Sequence, residues 1–149
     1  MGLNIMPRPH ARTLYAAPIR AHAARPHGAR LPAGSEPLER SNPLCGDRVR
    51  LVATRRDSCL DTLACEVRGC QLCVASASMM CETLQGREME SVRDVLASVL
   101  RLSGTSSYLE SWPPGMDSLA AVHSFPERVR CVTLPWEALE HRLTVEVTS

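Results

Sequence analysis

The sequence predicts a mixed fold in a single domain: one antiparallel β-hairpin, with amphipathic helices following it. Three observations point there. Residues 48–56 mostly alternate, with Val49, Leu51 and Ala53 on one side and Arg48, Arg50 and Thr54 on the other, Val52 being the exception. That period of two marks a strand with one buried face. Residues 70–85 and 88–102 instead place apolar side chains at helical spacing, through Cys70, Cys73, Val74, Ala77, Met80, Cys81 and Leu84, then Val92, Val95, Leu96, Val99 and Leu102. The length of 149 residues suits one domain, burying roughly two-thirds of the unfolded surface.

Taken in order, residues 1–12 read as a loose tail and 13–149 as the domain. Residues 12–24 can form a helix with Leu14, Tyr15, Ile19 and His22 on one side, ended by Pro26 and Gly28. Pro18 limits it, because proline is tolerated only in a first turn, so this helix either starts near Ala16 or is kinked. Residues 29–44, with Pro32, Pro37 and Pro43, read as extended or looped. Asp57-Ser58 turns the first strand into a second over 59–67, where Cys59, Leu63, Cys65 and Val67 share a face. Gly86 closes the helix over 70–85. Residues 103–115 are a Ser, Gly and Pro loop, and 116–124 hold a turn or two of helix. The last helix covers roughly 132–145, and Pro135 predicts that it begins close to Cys131.

Apolar residues make up 44% of the chain but aromatics only 3%, so aliphatic, Met and Cys side chains must fill the core. A formal net charge of +1 argues against a nucleic-acid partner. All 17 basic residues are Arg, which excludes a Schiff-base lysine. No run of about 18 apolar residues exists, so no membrane span is expected. Seven cysteines without an export signal suit a reducing compartment, the cytoplasm, where clustered thiols mean metal or redox chemistry more often than disulfides. The acid-free, Arg-bearing opening before Glu36 also has the composition of an organellar transit peptide; the alternative is the protein's own first helix and a linker.

Three cysteines stand at loop-to-element junctions. Cys45 is followed by Gly46 and Asp47, and Cys70 and Cys131 lie near predicted helix N-termini. Free N–H groups there favour thiolate over thiol. Three thiolates and a carboxylate form a plausible tetrahedral set for zinc or iron, and the same thiols can instead hold or pass sulfur. Such a set on a divalent ion carries a formal charge of −2, which Arg128 and Arg130 can offset. Cys70-Gln71-Leu72-Cys73 is a CxxC without the second pair a zinc ribbon needs, leaving Cys73 as a spare ligand, a resolving thiol or a core residue. Cys59, Cys65 and Cys81 fall within apolar patterns and read as core. His10, His22, His27, His123 and His141 form no metal pattern.

At Asn42-Pro43-Leu44-Cys45-Gly46-Asp47, Gly69-Cys70, Ala75-Ser76-Ala77-Ser78-Met79-Met80 and Phe125-Pro126-Glu127-Arg128-Val129-Arg130-Cys131-Val132-Thr133-Leu134, the chain resembles the U-type iron–sulfur assembly family. That family comprises SufU, IscU and the N-terminal domain of NifU, and the SufU branch is the nearer. The likeness extends over about residues 13–143 and includes Leu14-Tyr15, Ile19, His22, Pro26 and Gly28, favouring a native first helix over a transit peptide. It implies an α+β fold, a small antiparallel sheet of about three strands with helices packed on it. It also implies a metal held by Cys45, Asp47, Cys70 and Cys131: zinc in the SufU branch, iron or a transient [2Fe–2S] cluster in a scaffold. Cys45 matches the sulfur acceptor, freed from the metal when a SufS-like cysteine desulfurase supplies a replacing histidine, and Arg128 is the candidate for stabilising its thiolate. Sulfur or cluster would then pass to a downstream scaffold or apo-protein. In the IscU branch the residue before the last cysteine is histidine; here it is Arg130, and residues 103–124 occupy the place of the SufU-type insertion. The chain departs from the family at Cys73, where serine is expected, and at Pro18 and Pro135.

Overall fold

The computed structural model describes residues 14–103 and 111–148; the tail at 1–12 and part of the 103–115 loop lie outside them. Helix α1 (Ala17–Ala24) leads to a sheet of β1 (Leu38–Asn42), β2 (Asp47–Arg56) and β3 (Cys59–Arg68). Helices α2 (Gln71–Leu84) and α3 (Met89–Leu100) follow. Three 3₁₀ segments, Arg101–Ser103, Asp117–Ser124 and Pro126–Arg128, lead into α4 (Val129–Thr148). The fold is α+β, as the resemblance implied. Pro18 sits within the first two positions of α1, where its missing N–H is harmless, so the short form of this helix is the one adopted.

The sheet is antiparallel in the order β1-β2-β3. Val49 and Leu51 pair with Val67 and Cys65 across the β2–β3 hairpin, and a bulge at Thr54/Arg55 precedes the turn, where Asp57 has φ 58°. Strand β1 lies within residues 29–44, expected to be extended or looped, and takes the extended form. It is an edge strand alternating half-buried and exposed positions, with too few apolar residues to announce itself.

Helix α2 is the centre of the molecule. All its residues from Leu72 to Cys81 except Val74 are buried, which requires neighbours on every side. Helix α1 packs on it, α4 crosses it, and the sheet lies beneath, with α4 also covering β1 and β2. The small residues Ala75, Ser76 and Ala77 permit the close approach of α4. Ser76 Oγ, itself fully buried, donates to the Val132 carbonyl at 2.6 Å and accepts from Trp136 Nε1 at 3.0 Å. Trp136 is among the largest fully buried side chains and, with Trp112, joins a mainly aliphatic and Met-rich core. Helix α3 contributes Val92, Leu96 and Val99 from one face.

The last helix corrects the expected boundary. It begins at Val129, two residues before Cys131 rather than at about 132, and contains Pro135 as an interior residue instead of in its first turn. The 3₁₀ turn Pro126–Arg128 runs directly into it. The cost is local, since Pro135 has no N–H to donate to the Cys131 carbonyl.

Candidate metal centre

Cys45 is presented by the turn that joins β1 to β2. Asn42 and Asp47 are register partners, and the four residues between them form the turn. Asn42, 3% exposed, accepts the Leu44 N–H on Oδ1 at 3.1 Å and the Gly46 N–H on its carbonyl at 2.8 Å. Gly46 takes φ +76°, a conformation that any side chain would strain. Cys45 is therefore exposed at the turn, beside an 88% exposed Leu44. The loop expected to lead into the first strand is thus a hairpin turn.

Asp47 opens β2 and is buried, at 3% exposure. Its Oδ1 accepts the Cys70 N–H at 3.1 Å, and its Oδ2 lies 3.7 Å from Cys70 Sγ. A Cβ at Gly69 would collide with this carboxylate, so glycine there is a close-approach requirement. Cys70 is the N-cap of α2, as its position near a helix start predicted. Its thiol is brought down to about 6, chiefly by a hydrogen bond from Cys131, with help from the N–H groups of Cys73 and Leu72. Cys131, buried in the first turn of α4, is shifted upward for the complementary reason: it keeps its own proton and donates it in a hydrogen bond to Cys70. Cys45 is raised too, by desolvation first.

One ligand atom each from Cys45, Asp47 and Cys131 lies within 4.8 Å of the other two, and Cys70 joins through Asp47 and Cys131. Three of the four candidate ligands therefore meet, from a hairpin turn, a strand start and a helix start, while Cys70 contacts Asp47 and Cys131 from outside the mutual 4.8 Å set. Metal–sulfur bonds of about 2.3 Å and metal–oxygen bonds of about 2.0 Å put tetrahedral co-ligands roughly 3.5–3.8 Å apart. The Cys70–Asp47 separation fits that, and the donor set suits zinc or ferrous iron.

The charge of Arg128 is favoured first by Tyr15, then by a hydrogen bond with Cys131 and by the nearby Cys131 and Cys70. Arg130 points to Glu137, Nη2 to Oε2 3.6 Å. Cys73 is fully buried behind Cys70, and burial pushes its thiol up, keeping it protonated. Cys65 and Cys81 are core as read, while Cys59 is only partly buried. His123 is engaged by Trp112, whose Nε1 donates to its Nε2 at 3.1 Å. The sequence reading missed two things. Asn42 shapes the Cys45 turn, and an Asn before Pro-x-Cys-Gly was an available turn signal. His22 and His27 meet Glu82, from residues 55 or more positions away, which no local spacing could reveal.

A hairpin-borne thiol, a buried carboxylate and two helix-start thiols on this α+β frame define a sulfur-rich centre open on one side. Residues 22–132 match the model of the NifU-like N-terminal domain, and the chain belongs to that family. It is 31% identical over 135 residues to the zinc-dependent sulfurtransferase SufU of Bacillus subtilis (strain 168), covering 90% of this chain and 92% of the relative. It is 29% identical over 133 residues to the iron–sulfur cluster assembly scaffold protein IscU of Streptococcus pyogenes serotype M1, covering 87% and 82%. The crystal structure of a nitrogen-fixing NifU-like protein (N-terminal) from Brucella abortus shares the fold, with a TM-score of 0.73 at 22% identity over 85% of this chain and 90% of that one. Among the described residues no helix is long and apolar enough to cross a membrane.

Proposed function

We propose that this protein works in iron–sulfur cluster assembly as a zinc-dependent acceptor of persulfide sulfur from a cysteine desulfurase. The observation that carries the reading is the convergence of Cys45, Asp47 and Cys131, with Cys70 adjoining through Asp47 and Cys131 and only Cys45 of the four exposed. The four side chains hold the zinc, which when bound keeps the thiols deprotonated at neutral pH. In transfer, the Cys45 thiolate attacks the terminal sulfur of the partner's persulfide. A new S–S bond forms at Cys45 Sγ, the partner's S–S bond breaks, and the partner cysteine leaves as thiolate, so no external oxidant or reductant is required. Arg128 offsets charge on the Cys70–Cys131 side, where its guanidinium lies. The naming of the Bacillus relative as a zinc-dependent sulfurtransferase supports this reading.

A cluster scaffold is the second reading, supported by the naming of the Streptococcus relative. Arg130 weighs against it, since an arginine that turns toward Glu137 adds no ligand where the scaffold branch carries histidine. The experiment is desulfurase turnover with excess cysteine, in the presence of the purified chain. Strong stimulation that disappears in Cys45→Ala is expected. Cluster transfer to an apo-acceptor without stimulation supports the scaffold instead, and neither effect reduces the centre to a structural-zinc module.

A further inference from the structure

We propose that His22, His27 and Glu82 form a second divalent-metal site, of imidazole–imidazole–carboxylate type, which straps α1 and its following turn to α2. His22 Nε2 lies 3.4 Å from Glu82 Oε2, and His27 Nε2 lies 3.5 Å from the same oxygen. Charge-assisted N–H···O bonds are shorter, about 2.7–2.9 Å. Two ligands on one tetrahedral zinc, with bonds of about 2.0–2.1 Å, stand roughly 3.4 Å apart. Both histidine–carboxylate separations are those of co-ligands, and the two histidine nitrogens lie within 4.8 Å of each other.

A second observation is independent of those distances. His22 Nδ1 lies 2.7 Å from Oγ of the fully buried Ser78, which fixes the ring with Nε2 toward Glu82. The His27 backbone N–H donates to the same Oγ at 2.9 Å, so one hydroxyl positions both ligand-bearing segments. Metal-binding histidines are generally held this way through their other ring nitrogen. Burial also lowers the His22 pKa, favouring the neutral ring that ligates. His27 and Glu82 are each 53% exposed, leaving the site open to solvent for metal entry and a water ligand. Cys70 and Glu82 are twelve residues apart, about 18 Å along the axis of α2, so the cluster is separate from the sulfur centre; the neighbouring Cys81 thiol is buried in the core. Its nitrogen-rich donors suit zinc, and also cobalt, nickel or copper.

The test uses the full chain, stripped by chelator and titrated with cobalt(II). Thiolate-to-cobalt charge transfer reports the sulfur centre alone, while metal analysis after desalting reports the total. The wild type is expected to retain one equivalent beyond those that saturate the charge-transfer band. His27→Ala and Glu82→Gln, both at half-exposed side chains, should lose that equivalent and leave the band unchanged. Ser78→Ala should weaken the extra binding about 10–100-fold. Absence of the extra equivalent in the wild type, or its persistence in both variants, overturns the site. A missing charge-transfer band would count against the sulfur centre instead, with the extra equivalent still countable.

Discussion

Cys45 and Cys70 carry opposite properties within one centre. Cys45 is exposed and raised, whereas Cys70 is half-buried and lowered to about 6, first by the Cys131 hydrogen bond. In the metal-free chain, Cys70 thiolate therefore grows as pH rises through about 6, and Cys45 follows only above the ordinary thiol range. Alkylation read by peptide mass against pH should show Cys70 modified first, and Cys45 labelling first at pH 7 would contradict this ordering. Gly69 offers a test that removes no donor. A methyl there meets the Asp47 carboxylate, so Gly69→Ala should weaken zinc binding at the sulfur centre by at least about tenfold, measured by competition with a chromophoric chelator. Unchanged affinity would mean that Asp47 is not a ligand. The adjacent CGD and GC cysteines were legible in the sequence because their glycines and junctions are local features. That Cys70 and Cys131 are hydrogen-bonded to each other was not, since they lie 61 positions apart.

At the scale of elements, the contact between α2 and α4 places Cys131 over Cys70. Ser76 fastens that contact, bonded to the Val132 carbonyl beside Cys131 and to the Trp136 indole. Ser76→Ala leaves a buried indole N–H unsatisfied, a loss of about 1–3 kcal/mol. Urea denaturation should register it as a lower midpoint with an unchanged slope. Helix periodicity predicted α2 and α3 well, because apolar side chains repeat on a buried face. It did not mark the edge strand β1, whose polar alternation resembles a loop, or the start of α4, where a 3₁₀ turn runs into the helix ahead of Pro135.

For the whole molecule, the sulfur centre ties the β1–β2 turn to the starts of α2 and α4. Metal that binds only this folded arrangement stabilises it: at a hundred times its dissociation constant, about 2.7 kcal/mol. That amounts to roughly 5–10 °C in a chain of this size. Zinc-loaded protein should melt higher than chelated protein by that margin, and coincident melting curves would argue that the four side chains hold no metal. Cys45→Ser should lose sulfur acceptance yet remain folded by circular dichroism, since its exposed side chain packs against little. The sequence by itself determined the hairpin, the principal helices, the thiol-rich chemistry and the family likeness, because each rests on residues close along the chain or on a recognisable order of motifs. Only the tertiary structure decided that Cys45, Asp47 and Cys131 converge with Cys70 beside them, that Arg128 interacts with Cys131 and Cys70, and that two histidines meet a glutamate. Those are distances across the core, and they are set by how α1, α2 and α4 pack, which no local spacing encodes.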